Sequence, residues 1–437
     1  MYEGGVKMNL NKIPKRKANI IINSLQGGVV PRVGLGYIAV GRLKEIDALL
    51  KDIEVIEDGG STFRLICGDY GSGKTFLLQT VKEHLINKNF VVMDCDLSPE
   101  RSLIGVQGNA KGLATYRKLI SNLSTKINPE GGGLQPILDK FIDKVRNDVQ
   151  SENPGLTEFK INDYSKNMIY QLLFSVNNMV HGIDFINIIL KYYDAYQTHN
   201  YSEKNKVLKW IRGEYRLVSE VKRELDVSNM INDQNWFDYI EIFSEFIQIL
   251  EYKGLFVMID ELVNLYRIAN SKYRLKNYEK MLNIYNDTLQ GRARKMGVIF
   301  AGTKNSVYDC DCGIFSYEAL KSRLYSVSIT GYVSNLLSPI IELTPLPQSD
   351  IVILLQRLSE IHSIVYNYEP TIKIEDIMEY LKMTYRMSNP NITTRSIIRD
   401  YLNLLNLKME SDDITFSQLV SKVEMTDDKE NLSYIVD

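Results

Sequence analysis

The sequence predicts an α/β fold in which a parallel β-sheet positions a phosphate-binding loop, and two segments carry this prediction. In residues 63–75 a short apolar run leads into G-D-Y-G-S-G-K-T, which matches the pattern G-x-x-x-x-G-K-[ST], and an apolar helical pattern follows at once. In residues 255–261 five apolar residues end in two carboxylates, Asp260 and Glu261. Both segments are typical of buried parallel strands whose carboxyl ends carry a ligand site.

The first segment predicts a nucleotide site. Its glycines would let backbone N–H groups converge on phosphate oxygens, and the N-terminus of the next helix would add its partial positive charge. Lys74 is expected to reach the β- and γ-phosphates, and the Thr75 hydroxyl is expected to bind Mg²⁺. The predicted nucleotide-binding residues of this segment are Gly68, Asp69, Tyr70, Gly71, Ser72, Gly73, Lys74, Thr75 and Phe76.

The second segment has the form of a Walker B motif. Asp260 is predicted to hold Mg²⁺ through its water shell, and Glu261 to orient or polarise the attacking water. A structural Asp-Glu pair at a helix start would look similar, because acids favour helix N-termini. Lys74 and Asp260 are far apart in the sequence for a compact P-loop domain, so a helical insertion is expected at about 112–250. Its helical patterns span 112–126, 134–149, 164–179, 183–196, 203–224 and 235–252.

A further buried-strand pattern at residues 297–303 ends in the polar residue Thr303. AAA+ ATPases keep their sensor 1 residue at the end of the strand after Walker B. Thr303 is the candidate for this role, with Lys304 or Asn305 as alternatives, and it would contact the γ-phosphate or the attacking water. The other interpretation is that Thr303 is a turn residue.

Three arginines are candidates for two roles that stabilise charge on the γ-phosphate. Arg323 follows a serine near the end of a helical pattern, where ring ATPases often supply an arginine finger to the neighbouring subunit. A surface ion pair is the alternative role for this residue. Arg395 lies one turn inside a later helical pattern, at the sensor 2 position of AAA+ proteins, and Arg399 is the second candidate for that role.

The remaining patterns predict the organisation of the chain. Gly41 and Arg42 precede an acidic amphipathic helix, which is typical of the adenine-side flank of an AAA+ domain. Trp210 and Trp236 are interpreted as core residues of the insertion. We expect an N-terminal arm and helix at 1–35, an AAA+ core with its insertion at 36–345, a helical lid at 346–408 and a loosely attached acidic tail at 409–437.

Composition excludes some classes of protein. The formal net charge of -2 gives no global nucleic-acid footprint, and no apolar run is long enough to span a membrane. The N-terminus lacks the apolar segment of a signal peptide, so a cytoplasmic protein without membrane contact is expected. Cys67 and Cys95 lie in apolar runs and are expected in the core, whereas Cys310 and Cys312 lack zinc-site spacing. A structural metal is therefore not expected.

The combined pattern resembles the BrxD-type ATP-binding proteins associated with BREX phage-defence operons. The G-D-Y form of the loop and a W-I-R-G-E segment carry the narrower match, although the Lys-, Asn- and Tyr-rich background departs from the alanine- and glycine-rich background usual in that family. The resemblance spans about residues 20–408 and implies an AAA+ ATPase encoded beside a large helicase-like or other DNA-acting partner. The matching segments are 28–31, 40–42, 68–77, 116–117, 210–214, 254–261, 301–303 and 317–323.

Three functional hypotheses follow. The first is an ATP-hydrolysing homo-oligomer, in rings or filaments and with double-stranded DNA as a candidate partner, that uses Mg²⁺ and drives or licenses an antiphage complex. The second is a nucleotide-gated scaffold or sensor, in which ATP binding rather than turnover controls assembly. The third is direct nucleic-acid binding through residues 12–17 and the basic cluster at 292–295. ATP is favoured over GTP by the AAA+ pattern alone.

Overall fold

The computed structural model describes residues 13–106, 109–325, 335–387, 392–410 and 414–420. Its strands are β1 (Ser61–Gly68), β2 (Val91–Asp96), β3 (Leu255–Asp260), β4 (Met296–Gly302) and β5 (Ile340–Leu343). Its helices are α1 (Lys15–Gln26), α2 (Leu35–Ile38), α3 (Leu43–Glu57), α4 (Lys74–Asn87), α5 (Lys111–Ser121), α6 (Leu134–Glu152), α7 (Glu158–Leu172), α8 (Phe174–Asn177), α9 (Gly182–Gln197), α10 (Tyr201–Ile211), α11 (Val218–Leu225), α12 (Trp236–Gln248), α13 (Val263–Tyr266), α14 (Ser271–Leu289), α15 (Lys304–Tyr308), α16 (Glu318–Leu324), α17 (Gln348–Tyr366), α18 (Ile374–Met387), α19 (Thr394–Glu410) and α20 (Phe416–Val420).

The five strands form one sheet in the order β2-β3-β4-β1-β5. β1 pairs with β4, β4 with β3 and β3 with β2, each in parallel register. Every residue of β3 and β4 is buried, because helices cover both faces of a parallel sheet and leave no face for polar side chains. The predicted α/β class and parallel sheet are confirmed.

The chain divides into two compact units. The sheet unit comprises Ala48–Cys67 and His84–Ile341, and it contains most of the sheet and the insertion. The helical unit comprises the described parts of Met1–Asp47, Gly68–Glu83 and Glu342–Asp437. Each unit has its own hydrophobic core, and each is described separately.

In the sheet unit, one hydrophobic core extends from the strands into the insertion helices. Trp210 and Trp236 are buried there, as expected. Their indole N–H groups donate to the carbonyls of Asn229 (2.9 Å) and Leu103 (3.0 Å), which removes the cost of burying a polar group. Cys67 and Cys95 are also buried, as the apolar runs predicted.

The single helical pattern expected at 203–224 is in fact two helices, α10 and α11. The chain turns at Gly213, whose φ is +66°, a conformation that favours glycine. A Cβ at this position would also lie 2.8 Å from Leu113. The carbonyl of Gly213 accepts two bonds from the Arg117 guanidinium, at 2.8 Å and 2.6 Å, so the turn is fixed on α5.

The helical unit is built on α1, α17, α18, α19 and α20, whose apolar faces share one core. α1 begins at Lys15 and packs against α17 and α19, so it belongs with the predicted lid helices instead of standing apart as an arm. Phe416 and Val420 are buried in the same core, so the chain remains packed beyond residue 409, where a loose tail was expected. Residues 421–437 of that tail lie outside the described residues.

No helix within the described ranges combines the length and the apolar character that crossing a membrane requires.

An acidic group lies at low exposure between α12 and α14 in the sheet unit. Within the described structure, one carboxylate oxygen of Glu241 is buried and has no hydrogen-bond partner. Burial, and then the neighbouring Asp287 and Asp238, raise the pKa of Glu241 to about 8, against the opposing effect of Arg292 and Lys280. The charged form of Glu241 is therefore destabilising in the folded protein.

Glu241→Gln is expected to stabilise the protein at alkaline pH and to change little at low pH. Because the folded-state pKa lies above the ordinary value of 4.5, the stability associated with Glu241 is full below that value and is lost as the pH rises through about 8. The gain should be on the order of 2 kcal/mol at about pH 9, measured from urea unfolding followed by circular dichroism. Glu130→Gln, at an exposed position, is the control, and an equal gain there would contradict the assignment.

Candidate phosphate-binding site

The carboxyl edge of the sheet collects the polar residues that follow its strands. In the sheet unit, Asp96 at the end of β2 is in register with Asp260 at the end of β3, and Cys67 of β1 is in register with Gly302 of β4. Thr303 comes directly after β4. Strands that run in parallel end at one edge, and ligands of open α/β sheets bind at that edge.

The phosphate loop begins at Gly68, the last residue of β1, and ends where α4 begins. Gly71 and Gly73 have φ values of +74° and +90°, which strain any residue with a side chain. A Cβ at Gly71 would also lie 2.6 Å from the Cβ of Thr393, so two constraints require glycine there. A Cβ at Gly73 would meet nothing within 4 Å, so the space beside this backbone is open.

Within the loop, a cation and a buried hydroxyl have the chemistry of an anion site. The Lys74 ammonium donates to the carbonyls of Gly68 and Asp69, each at 2.9 Å. Ser72 is only 7 % exposed, and its hydroxyl has no hydrogen-bond partner among the described residues. A buried hydroxyl without a partner is costly, and a phosphate oxygen would satisfy it. The residues present therefore fit a phosphate group.

Thr75 and Phe76 lie in the first turn of α4, where backbone N–H groups lack acceptors inside the helix. Thr75 is half-buried, and its predicted Mg²⁺ contact stays a prediction. The ring of Phe76 packs against the core of the helical unit, so only its backbone is suited to the predicted nucleotide contact. Its position in the motif is therefore also a packing position.

Arg42, predicted on the adenine side, has its guanidinium engaged with backbone carbonyls. It donates to the carbonyl of Ser72 at 2.9 Å and to the carbonyl of Thr344, and it pairs with Glu45 at 3.1 Å. Gly41 has a φ of +69°, and a Cβ there would lie 2.7 Å from a carboxylate oxygen of α17. Arg42 thus stabilises the phosphate loop through the carbonyl of Ser72, which belongs to the same unit. Direct contact of Gly41 or Arg42 with a nucleotide stays a prediction.

Of the two sensor 2 candidates, the structure places Arg395 against the phosphate loop. Its Nη1 donates to the Tyr70 hydroxyl at 2.9 Å, and its guanidinium carbon lies 5.4 Å from the centre of the Tyr70 ring. The Nε of Arg399 instead lies 3.6 Å from the carboxylate of Asp400, within α19. Arg395 is therefore the candidate that the geometry favours.

The two carboxylates predicted to form a Walker B motif have different environments in the sheet unit. Asp260 is 4 % exposed, and its Oδ1 accepts the backbone N–H of Glu261 at 2.7 Å. Glu261 is exposed and has a φ of +63°, a conformation that costs a non-glycine residue about 1 kcal/mol or more. A buried carboxylate followed by an exposed one on a strained residue is an arrangement found at functional sites.

Asn264 is a residue of this region that the motif analysis missed. Its Nδ2 donates to the carbonyl of Leu97 at 3.0 Å and to the carbonyl of Glu261 at 3.3 Å. It thereby links the segments that follow β2 and β3 and supports the backbone of Glu261. The only sequence signal was a polar residue three positions after Glu261, inside an apolar run.

Thr303 is the N-cap of α15. Its hydroxyl oxygen accepts the backbone N–H of Ser306 at 3.2 Å, and the Ser306 hydroxyl donates to the Thr303 carbonyl at 2.7 Å. The cap uses the oxygen as an acceptor, so the hydroxyl proton is chemically suited to a second role. Of the alternatives, Lys304 is half-buried and Asn305 is exposed.

Arg323 lies in the last turn of α16 and is exposed. Its Nη1 donates to the carbonyl of Ala319 one turn earlier, at 2.8 Å. Among the described residues, no ion pair joins Arg323 to an acid, and both interpretations of this residue stay predictions.

The basic clusters proposed for nucleic acid are at the surface. Arg292 lies 3.3 Å from Asp287, which neutralises part of its cluster. Lys12 lies outside the described residues. The exposed members of the two clusters are Lys15, Arg16, Lys17, Arg292 and Arg294.

Comparison with known proteins identifies the family of the chain. The model of a family described as "BREX system ATP-binding protein BrxC/D" matches residues 13–424, a range that includes the phosphate loop, Asp260, Glu261 and the insertion. No curated protein matches the chain. The resemblance drawn from the motifs is confirmed, and with it an ATP-binding role in a phage-defence system. The chain belongs to the BREX system ATP-binding protein BrxC/D family.

Proposed function

We propose that this chain is an AAA+ ATPase of an antiphage defence system that hydrolyses ATP with Mg²⁺ and works as a homo-oligomer. The observation that supports ATP hydrolysis, in addition to ATP binding, is the environment of Glu261. Its exposed carboxylate follows the buried Asp260 on a residue held in a left-handed conformation. A positive φ is not sufficient, since Glu251 has the same value; the position of Glu261 directly after the buried Asp260, at the end of β3, is what supports this role.

The phosphate loop would bind the nucleotide. Lys74 would exchange its two loop carbonyls for the β- and γ-phosphates, and the Ser72 hydroxyl would gain an acceptor. Mg²⁺ commonly keeps several waters and takes phosphate oxygens as ligands, so the protein needs to supply only one or two. Thr75 and Asp260 are the residues proposed for that task.

Glu261 would orient or polarise the attacking water, and the Thr303 hydroxyl would donate a hydrogen bond to the γ-phosphate or to that water. Arg395 would contact the γ-phosphate from α19. Phosphoryl transfer depends on positioning and on charge stabilisation, which is the work these side chains can do.

Arg323 would complete the site of a neighbouring copy. Its exposure in the last turn of α16 supports this role. A planar, permanently charged guanidinium suits the charge that develops on a transferred phosphoryl group.

Intersubunit complementation tests the proposed function. Arg323→Ala and Glu261→Gln should each lower turnover when alone, the former roughly 1,000-fold or more. An equal mixture should recover about one quarter of wild-type turnover, because one variant keeps its own Glu261 and the other supplies Arg323 across the interface. The measurement is phosphate release per protomer as the mixing ratio is varied.

Lys321→Ala is the matched control, since it removes another cation from the same helix. The Lys321 ammonium lies 3.9 Å from the carboxylate of Glu318. It should keep near-wild-type turnover. A mixture no more active than the sum of its parts would remove the role of Arg323 in trans.

Double-stranded DNA and a DNA-acting protein are the proposed partners. Phosphate release that rises with protein concentration would support assembly, and a further rise with DNA would support a nucleic-acid track. Binding to DNA through residues 15–17 or 292–294 should weaken as salt rises, because phosphate contacts release counterions. DNA binding that is indifferent to salt would remove this proposal.

The nucleotide-gated scaffold remains the second candidate function, and the surface of the insertion favours it. Large apolar side chains are exposed on α7, on α8 and near the start of α9, among them Phe159, Phe174 and Ile183. Exposed apolar groups of this size on one part of a surface suggest contacts with other proteins. In this alternative, ATP binding would control assembly and turnover would be incidental.

A further inference from the structure

Tyr70 is unusual among the phosphate-loop residues because it makes a side-chain contact with the last long helix. The ring is 53 % exposed, and its only described side-chain partner is Arg395. The guanidinium carbon lies 5.4 Å from the ring centre, and Nη1 donates to the hydroxyl at 2.9 Å. One residue thus offers the arginine both a π face and a hydrogen-bond acceptor.

The start of α19 is held against the loop at a second, adjacent point. Gly71 packs so closely on Thr393 that an added Cβ would lie 2.6 Å from the Cβ of that residue. Thr393 caps α19: its hydroxyl oxygen accepts the N–H of Ser396 at 3.1 Å, and its own N–H donates to the Ser396 hydroxyl at 3.2 Å. The helix start is therefore well formed where it meets the loop.

Gly28 also approaches the side chain of Arg395. A Cβ on Gly28 would lie 3.9 Å from the Cδ of Arg395, which is ordinary van der Waals contact. The methylene chain of Arg395 thus lies near the loop after α1, while its guanidinium lies over the Tyr70 ring. The guanidinium has five N–H donors, and the hydroxyl of Tyr70 takes one of them.

We propose that Tyr70 is a positioning residue for Arg395: it holds the guanidinium over the phosphate loop so that the remaining N–H donors are ready for the γ-phosphate. This inference rests on the proposed role of Arg395 as a nucleotide contact. An arginine side chain has many rotamers, and fixing one of them before the ligand arrives removes an entropic cost from binding. The benefit should go to ATP over ADP, since only ATP has the γ-phosphate.

Removal of the ring should therefore reduce nucleotide discrimination. In Tyr70→Leu, the ratio of ADP Kd to ATP Kd should fall roughly three- to tenfold, the size expected for loss of an exposed cation–π contact and one hydrogen bond. Tyr70→Phe keeps the ring but loses the hydroxyl, so its ratio of ADP Kd to ATP Kd should lie between those of Tyr70→Leu and the wild type. In the background of Arg395→Ala, Tyr70→Leu should have no further effect, because its action passes through the arginine.

The experiment combines calorimetric titration of ATP and ADP with amide hydrogen exchange of the nucleotide-free protein. In the exchange arm, Tyr70→Leu should speed exchange several-fold in the first turn of α19, including the N–H of Ile397, which donates to the Thr393 carbonyl at 3.1 Å. Tyr170→Leu is the matched control, because Tyr170 is 51 % exposed and lies on the insertion. It should leave both measurements unchanged.

The two arms separate this inference from the proposed function. Wild-type ATP binding with an unchanged ratio in Tyr70→Leu would overturn the positioning role and leave the proposed function intact. Equal losses from Tyr70→Leu in the presence and absence of Arg395 would also overturn it, because the ring would then act on the nucleotide directly. If the wild type bound ATP and ADP equally well, the role of Arg395 at the γ-phosphate would fail, and the positioning role with it.

Discussion

Glu261→Gln is expected to keep ATP binding and to lower turnover about 1,000-fold. The substitution is isosteric and keeps the backbone hydrogen bond from residue 261 to the Asp260 carboxylate, so the end of β3 should be undisturbed. It removes the negative charge that would orient or polarise the attacking water, and a positioned general base contributes roughly 100- to 10,000-fold. Single-turnover phosphate release and ATP titration of the same preparation measure both quantities.

Glu251→Gln is a closely matched control for this prediction. Glu251 is exposed and also has a φ of +63°, but it lies before the start of β3, whereas Glu261 follows the end of that strand. It should keep full turnover. Equal loss of ATP binding in Glu261→Gln and Lys74→Ala would contradict the separate roles of the two residues.

The same variant separates the two candidate functions. If turnover drives the antiphage complex, cells carrying Glu261→Gln should lose protection against phage. If ATP binding alone controls assembly, protection should persist although phosphate release is lost. Intact protection would favour the gated scaffold over the ATPase motor.

Lys74→Ala is expected to weaken ATP binding roughly 100- to 1,000-fold, the cost of removing one partner from a charged contact at a partly desolvated site. The ammonium is the cation that the phosphate loop itself supplies, and it is held on the carbonyls of Gly68 and Asp69. Without it those carbonyls would face the incoming phosphates with no positive charge between them. Calorimetric titration with ATP measures the loss.

Lys88→Ala, at an exposed position just beyond α4, is the control for general charge removal and should bind ATP as the wild type does. Circular dichroism of both variants checks that the fold persists. Retention of ATP binding within about tenfold in a folded Lys74→Ala would remove the phosphate loop as the nucleotide site.

The glycine-rich loop between β1 and α4 and the strand that ends in Asp260 could be predicted from the sequence because each is a contiguous segment. In such a segment the conformation depends mostly on its own residues: glycines permit the loop, and an apolar run of strand length requires burial. The core positions of Trp210 and Trp236 followed from the same kind of reasoning. The boundary between α10 and α11 was missed because the turn at Gly213 is fixed by its contacts with α5, which lies far away in the sequence.

The site residues outside these motifs could be placed only by tertiary structure. The choice between Arg395 and Arg399 depended on which of them contacts Tyr70, a residue more than 300 positions away. The bracing of the loop by Arg42 and the capping role of Thr303 likewise depend on hydrogen bonds that no motif encodes.

The sequence by itself therefore determined the class of the fold, the phosphate loop, the acidic pair and the family. Tertiary structure decided the order of the strands, the membership of α1 in the helical core, the left-handed conformation of Glu261 and the pairing of Tyr70 with Arg395. The physical reason is the range of the interactions involved. Periodicity and motif spacing report contacts between near neighbours in the chain, whereas these features depend on contacts whose partners meet only after the chain has folded.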